Sequence, residues 1–131
     1  LAPQPCPHLK ADHSDYLALL RKLRQVPGVK KVFIRSGLRY DYMLLDRSPN
    51  GKAFFKELIE HHISGQLKIA PEHIDPAVLR YMGKPGVEDY ERFRQKYAAT
   101  NARHGKEQYL VPYFLPSLPS KDLRAAIELA E

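Results

Sequence analysis

The sequence contains a single cysteine, Cys6, and this scarcity excludes a fold that is held together by disulfide bonds. A lone cysteine fits a reducing compartment, so we expect a cytoplasmic protein. No run of about 18 apolar residues occurs, which excludes a transmembrane helix. The first residues, LAPQPCPHLK, lack the continuous apolar stretch of a signal peptide.

Dense runs of one charge sign are also missing, although the chain is basic overall. Its 21 lysines and arginines outnumber its 15 aspartates and glutamates, which gives a formal net charge of +6. Because the basic residues are spread over several segments, the pattern favours a solvated basic surface over an electrostatic footprint for nucleic acid. A nucleic-acid partner is therefore the less favoured interpretation.

What is present is an ordinary globular composition, with 44% hydrophobic and 27% charged residues, and it argues against disorder. The 131 residues suit one compact domain that buries about two-thirds of its unfolded surface. The chain begins at Leu1 instead of Met, and its last residues, KDLRAAIELAE, have helical composition without a stop signal. We expect it to be a segment of a longer protein.

Helical and strand-like segments alternate after an extended arm at residues 1–13, which is rich in proline and lacks periodicity. Apolar residues at helical spacing predict helices, and short β-rich runs between Gly or Pro predict strands. The predicted strands are 29–35, 66–70 and 108–115. The predicted helices are one from Ser14 as N-cap to Pro27-Gly28, one at 40–45, one at 53–63, a short one from Asp75-Pro76, one at 87–103 and one from Pro119-Ser120.

The order αβαβαβα predicts one α/β domain over residues 14–131, with a parallel sheet and right-handed crossovers. Its spacing fits either a (β/α) barrel or an open doubly wound sheet. Three strands cannot close a barrel, so a barrel-type sheet would leave its inner face open. In VKKVFIR, Lys31 and Arg35 lie on the same side as Phe33. This alternation favours a polar lumen, filled by solvent or by a ligand, over exposed, snorkelling side chains.

Five strings are distinctive as wholes: CPHLKADH (6–13), PGVKKVFIRSGLRYD (27–41), ELIEHHISGQLKIAPEH (57–73), MGKPGVEDYERF (82–93) and GKEQYLVPYF (105–114). Together they resemble the YgiQ-like family of radical S-adenosylmethionine proteins over nearly the whole chain. The resemblance implies a parallel-stranded half of a (β/α)6 radical-SAM partial barrel, from the C-terminal half of that domain. It also implies a parent enzyme that reductively cleaves S-adenosylmethionine at a [4Fe-4S] cluster, and whose radical abstracts hydrogen from an unknown substrate.

The family's cluster-binding motif, CxxxCxxC, is missing from this chain. Cys6 alone cannot hold a cubane cluster, and the resemblance places it in a separate Cys/Pro-rich insertion. We therefore expect this chain alone to be inactive and to bind neither the cluster nor S-adenosylmethionine, which belong to the parent protein. A second departure is Leu118-Pro119-Ser120, where the family usually has HPG. It puts in doubt a ligand contact or tight turn at that corner.

Barrel active sites lie at the carboxyl ends of strands. In that setting the resemblance implies contacts to S-adenosylmethionine from Arg35, Ser36, Lys68 and Glu72. The guanidinium of Arg35 can bind a carboxylate or phosphate through two nitrogens, and the Ser36 hydroxyl can bond a ribose hydroxyl. A structural arginine followed by a turn serine is the alternative interpretation.

His73 and Lys84 are expected on the substrate side. Glu72 and His73 join a carboxylate to an imidazole at a strand end, which suits acid–base chemistry, and Lys84 can reach a ligand carboxylate. The alternatives are a capping glutamate beside an exposed histidine, and a lysine that complements a helix C-terminus. No metal site is expected, because His61 and His62 are adjacent on a helix and point about 100° apart.

A second class of function stays open: a non-catalytic α/β module that binds nucleic acid or a partner protein. A CxxxCxxC motif upstream of Leu1 would favour the enzyme, and its absence would favour the module. The remainder of the parent protein is the expected partner of the open sheet face, which should carry Phe33, Tyr109, Val111 and Tyr113. Without that cover we expect the chain to form a homodimer or larger species.

Overall fold

The computed structural model describes residues 5–115 and 123–131, and within them helices alternate with the strands of one small sheet. The elements in chain order are α1 (Ser14–Gln25), α2 (Tyr40–Leu45), α3 (Pro49–Glu57), β1 (Gln66–Glu72), α4 (Pro76–Tyr81), α5 (Val87–Arg103), β2 (Tyr109–Phe114) and α6 (Leu123–Ala130). A π-helical turn, Leu58–His62, continues α3. No helix in these ranges is both long and apolar enough to cross a membrane.

The two strands are parallel, as the alternation of elements predicts. β1 and β2 pair from Gln66 opposite Tyr109 to Ile69 opposite Pro112, and α4 and α5 form the crossover between them. The register shifts before Glu72, which pairs with Phe114. The fold class is therefore α/β, with a small parallel sheet.

Local sequence signals explain where the helices begin. The Ser48 hydroxyl accepts a hydrogen bond from the N–H of Gly51 at 3.0 Å, and Pro49 follows as the first helical residue of α3. The Asp75 carboxylate accepts from two backbone N–H groups at the start of α4, where Pro76 again comes first. The predicted start at Asp75-Pro76 and the predicted helices 40–45 and 87–103 are confirmed.

The hydrophobic core lies between the helices and one face of the sheet. Phe93 of α5 is fully buried, and its ring lies 5.8 Å from that of Phe55 and 6.2 Å from that of Tyr97. Leu67 and Ile69 of β1 point into the same cluster, while Lys68 between them is exposed. The other sheet face carries the exposed side chains of Gln66, Lys68, Tyr109 and Tyr113. We call this face, together with the exposed Lys31, Phe33 and Arg35 of the segment ahead of α2, the open face.

The predicted first strand, residues 29–35, is wrong as a strand, and the sheet has two strands within the described residues. Its alternation is nevertheless real, because Val32 and Ile34 pack against the core. The N–H of Ile34 donates to the carbonyl of His62 at 3.0 Å, and Nδ1 of His62 lies 2.7 Å from the carbonyl of Val32. These bonds to the π-helical turn replace a ladder with β1. The three-stranded half-barrel is thus not seen.

Two smaller predictions also differ from the structure, and a third is not tested. Ser14 is the first residue of α1 instead of its N-cap, and its N–H is bound by the carboxylate of Asp12 at 2.9 Å. The predicted helix 53–63 begins earlier, at Pro49, and ends in the π-helical turn. The predicted helix start at Pro119-Ser120, and the departure at Leu118-Pro119-Ser120, lie outside the described residues.

Candidate functional site

The open face places two of the predicted site residues together. Arg35 and Lys68 line one surface cavity of about 360 Å³, which Gln66 also lines. The Lys68 ammonium also lies 6.0 Å from the centre of the Tyr113 ring. This is at the limit of a cation–π contact. The side that the helices leave uncovered thus offers cations beside an aromatic ring, an arrangement suited to an anionic, planar ligand.

Ser36 follows Arg35 on the exposed side but does not line this cavity. The next residue, Gly37, passes close to β1, because an added Cβ there would lie 3.9 Å from the carbonyl oxygen of Lys68. The chain therefore runs beside β1 from Arg35 onward, and it brings the end of the predicted first strand to the same sheet.

Glu72, at the carboxyl end of β1, has a backbone conformation that glutamate rarely adopts. Its φ is +74°, in the left-handed region, which costs a non-glycine residue on the order of 1–2 kcal/mol. The register shift before it and a 2.7 Å hydrogen bond from the N–H of Leu115 to its carbonyl hold it there. Such conformations concentrate at functional sites, so Glu72 marks this strand end as a candidate site.

Lys84 turns back onto this strand end. Its ammonium lies 3.4 Å from the Glu72 carboxylate and donates to the carbonyl of Ala70 at 3.3 Å. The end of α4 positions it, because the N–H of Lys84 donates to the carbonyl of Leu79. The predicted substrate-side ammonium and the predicted cofactor-side carboxylate therefore bind each other in this structure. A ligand that used either group would have to displace this ion pair.

His73 does not form the predicted acid–base pair with Glu72. It is 2% exposed, and its Nδ1 accepts a hydrogen bond from the N–H of Asp75 at 2.9 Å. The Glu72 carboxylate is instead bound by Lys84. The alternative of an exposed His73 is also wrong. This imidazole shapes the turn into α4, and Nδ1 is not free to exchange a proton with a ligand.

A second cavity, of about 140 Å³, lies beside Ala70 and Lys84. Its other wall includes Tyr40 and Asp41, which sequence reasoning did not select. The string GLRYD was noted only as part of the family resemblance, and nothing in its periodicity marks these side chains as functional. They are found only because α2 begins where the chain passes β1.

Three polar groups shape this small cavity. The Arg39 guanidinium binds the buried Asp41 carboxylate at 2.9 and 2.6 Å. The hydroxyl of Tyr40 is buried without a hydrogen-bond partner among the described residues, and burial raises its pKa to about 12. A buried hydroxyl without a partner is costly, so this cavity suits a small polar group that could bond to it.

The residues present do not fit an iron–sulfur cluster. Cys6 is the only thiol in the sequence, and three thiolates are needed. Across residues 5–115 and 123–131, no three His, Cys, Asp or Glu side chains are grouped to hold a metal ion. His62 is fully buried, and burial lowers its pKa while its Nδ1 lies 2.7 Å from the Val32 carbonyl, so it serves the fold.

Comparison with known proteins finds long relatives of this chain. It is 53% identical over 131 residues to a UPF0313 protein of Clostridium perfringens strain SM101 and 56% identical over 129 residues to one of Clostridium botulinum strain Okra. It spans 19% of the first and 20% of the second, so about a fifth of their length. UPF0313 designates the YgiQ-like family. No protein-family model matches the chain. No solved structure matches it either.

Proposed function

We propose that this chain is a segment of a radical S-adenosylmethionine enzyme of unknown substrate, and that it supplies ligand-facing residues and not the iron–sulfur centre. The observation that carries the proposal is the open face of a parallel sheet, where Arg35 and Lys68 share one cavity. Ligand sites are typically cavities into which a few polar groups converge, and this cavity offers two cations. The resemblance of the sequence strings to the YgiQ-like family implies the radical chemistry, while the relatives found by comparison are named only as UPF0313 proteins.

The chemistry of S-adenosylmethionine matches the groups on this face. Its carboxylate suits the guanidinium of Arg35 or the ammonium of Lys68, and its adenine ring suits the exposed Tyr113 ring. The strained Glu72 and its partner Lys84 close the carboxyl end of β1 and are the proposed substrate-side border. Ser36 is exposed next to Arg35 and is the hydroxyl available to a ribose.

The cluster ligands are expected elsewhere in the full-length protein. The chain spans about a fifth of its relatives' length, so most of such a protein lies outside it. This segment alone is proposed to be inactive, with the remainder of the parent as its partner. A cytoplasmic location belongs to the same proposal, because Cys6 as the only cysteine fits a reducing compartment.

Binding of S-adenosylmethionine to the full-length protein tests the proposal. Lys68→Met removes the ammonium and keeps an unbranched chain, and we expect it to weaken binding about tenfold, as loss of one charge-assisted hydrogen bond does. Lys22→Met, on the exposed side of α1, is the matched control and should leave binding unchanged. Equilibrium dialysis with radiolabelled ligand gives the affinities. Equal affinities for the wild type and Lys68→Met, or no binding by the wild type, would refute the proposal.

A further inference from the structure

A cationic cleft lies at the opposite end of β1 from Glu72 and Lys84. It measures about 510 Å³, within the usual range for ligand sites. Ile63 and Ser64, which precede β1, form part of its floor. We call it the lysine cleft, and its basic side chains are Arg24, Lys30, Lys31 and Lys106.

Most of the positive charge in this cleft is not neutralised. Arg24 binds Glu57 at 2.7 Å. The acidic lining residue, Glu60, is bound by His104 at 2.8 Å and lies 3.9 Å from the ammonium of Lys56. The three lysines of the cleft have no ion-pair partner among the residues that the structure describes. Three ammonium groups without carboxylate partners around one cavity attract anions and so favour an anionic ligand.

An exposed aromatic ring lies among these cations. Phe33 lines the cleft and is 42% exposed, and the ammonium of Lys31 lies 5.9 Å from the centre of its ring. Exposed rings interleaved with cations are the arrangement that binds unpaired bases and their phosphates together. A simple inorganic anion or an acidic peptide would make no use of the ring.

The same alternation continues beyond the cleft. Lys31, Phe33 and Arg35 point to one side of an alternating segment, and Lys68, Tyr109 and Tyr113 carry the pattern across the open face. Lys31 and Arg35 are four residues apart, which is about 13 Å in extended chain. The span from Lys31 to Arg35 is therefore several times the roughly 3.4 Å between neighbouring stacked nucleotides of a nucleic-acid strand. The surface thus suits several linked nucleotides better than a single one.

We propose that the lysine cleft binds single-stranded nucleic acid, with phosphates against Lys30, Lys31 and Lys106 and a base stacked on Phe33. The sequence did not favour this partner, because its basic residues are scattered along the chain. Folding brings the end of α1, the following segment and the turn after α5 to one cleft. The lysines of the cleft and Phe33 are not among the residues assigned to S-adenosylmethionine, so binding in the cleft does not depend on the proposed radical chemistry. A nucleic-acid strand that extended beyond the cleft to Arg35, Lys68 and Tyr113 would use side chains assigned to that ligand.

Fluorescence anisotropy with a labelled oligouridylate of about 15 nucleotides tests the proposal at about 50 mM NaCl. The variant Lys30→Gln/Lys106→Gln should bind about tenfold more weakly and reduce the salt slope by about 1.4, or about 0.7 for each lost phosphate contact. The matched control, Lys10→Gln/Lys22→Gln, removes the same charge from exposed positions outside the cleft. It should change affinity less than about twofold and leave the salt slope unchanged.

The contribution of base stacking on Phe33 is measured with a separate variant. Phe33→Leu should weaken binding of the oligouridylate about fivefold or more without altering the salt slope, because it removes stacking and no charge. Duplex RNA of the same length should bind more weakly, since its bases are already stacked. Circular dichroism checks that each variant keeps its helices.

Four outcomes would overturn the proposal: no binding of the oligouridylate by the wild type, equal losses in the two lysine double variants, duplex bound as tightly as single strand, or polyglutamate bound as tightly as the oligouridylate. Unchanged S-adenosylmethionine binding in Lys30→Gln/Lys106→Gln full-length protein separates this inference from the proposed function. If Lys30→Gln/Lys106→Gln loses nucleic-acid binding and retains S-adenosylmethionine binding, the nucleic acid binds in the lysine cleft.

Discussion

At the scale of single residues, Asp46 anchors the first part of the chain to the helical core. It is 4% exposed, and its carboxylate accepts hydrogen bonds from the backbone N–H and ring of His13 at 2.9 and 2.8 Å. It also accepts from Ser48, which caps α3. Burial by itself raises the pKa of Asp46, but the bonds from Ser48 and His13 outweigh it and lower the pKa to about 2.

This lowered pKa predicts an acid-dependent loss of stability. The carboxyl group titrates at 3.8 when unperturbed and at about 2 when folded, so its contribution is present above about pH 4 and disappears as the pH falls towards 2. At neutral pH the contribution is about 2 kcal/mol. Urea unfolding across this range should show the loss in the wild type. Asp46→Asn should be about 2 kcal/mol less stable at pH 7 and lack this component.

The matched control for this experiment is Glu107→Gln, which removes an exposed carboxylate ahead of β2. It should keep the steep fall in stability between pH 4 and pH 2 that the wild type shows. A wild type whose pH dependence in this range equals that of Asp46→Asn would show that the His13–Asp46 bonds do not hold the arm.

Glu72 allows a test of backbone strain at the candidate site. Because its φ is +74°, Glu72→Gly should be about as stable as the wild type: the relieved strain offsets the lost ion pair to Lys84. Glu72→Val loses the same ion pair and keeps the strain, so it should be at least about 2 kcal/mol less stable. Chemical denaturation measures both variants. Equal stabilities for Gly and Val at this position would refute the strained conformation.

Residue roles were only partly predictable from the sequence. The family resemblance implied ligand contacts from Arg35, Lys68 and Glu72, and the structure places the first two on one cavity. The binding of Lys84 to Glu72 could not be predicted, because it depends on the path of the chain after α4. The burial of His73 depends on the same turn. The adjacent Glu72 therefore did not predict what the imidazole of His73 binds.

At the scale of elements, periodicity predicted helices better than it predicted strands. The helix Val87–Arg103 was predicted at both ends, because a long apolar stripe and a following glycine define it. Residues 31–35 alternate between exposed and half-buried side chains without a strand ladder. Alternation reports which side chains are buried, and it does not determine which backbone groups bond to each other. Here the N–H of Ile34 donates to the carbonyl of His62 in the π-helical turn, and not to a carbonyl of β1.

Gly51 offers a sharp test of the loop that joins α2 and α3. It lies in the first turn of α3, where alanine normally favours the helix by up to about 1 kcal/mol. An added Cβ would overlap the Cγ and carbonyl oxygen of Asp46. We therefore expect Gly51→Ala to destabilise the protein by about 2 kcal/mol or more, because the Asp46 anchor must shift.

Gly37→Ala is the control for this substitution, since a Cβ there meets only ordinary contact distance at 3.9 Å. It should change stability by less than about 1 kcal/mol. Thermal and urea unfolding give both values. A Gly51→Ala protein as stable as the wild type would contradict the close packing of α3 on Asp46.

At the scale of the whole molecule, the sequence predicted a parallel sheet with one uncovered face, and both features are present. It overestimated the sheet by one strand. It could not predict the lysine cleft, because Arg24, Lys30 and Lys106 meet only after folding. The open face exposes Phe33 by 42%, Tyr109 by 66% and Tyr113 by 49%. Exposed apolar patches of this kind mark surfaces that bind partners.

We propose that the isolated chain self-associates through this open face, which the remainder of the parent would otherwise cover. Lys31, Arg35 and Lys68 would then face their own copies, so association should strengthen as salt screens their repulsion. Sedimentation equilibrium at micromolar concentration should show more dimer at about 500 mM than at about 50 mM NaCl. Tyr109→Ser/Tyr113→Ser should weaken association. Tyr81→Ser, 82% exposed but on α4, should not. A monomer near 15.1 kDa at both salt concentrations would contradict the proposal.

The most direct test of the central claim is the formation of 5′-deoxyadenosine by the full-length protein that carries this segment. The protein is purified without oxygen, supplied with iron, sulfide, a reductant and S-adenosylmethionine, and assayed by liquid chromatography and mass spectrometry. We expect 5′-deoxyadenosine from the wild type and at least about tenfold less from Arg35→Met/Lys68→Met, because those cations are proposed to bind the ligand carboxylate. A cluster-loaded protein that forms none, or a double variant that forms as much as the wild type, would contradict it.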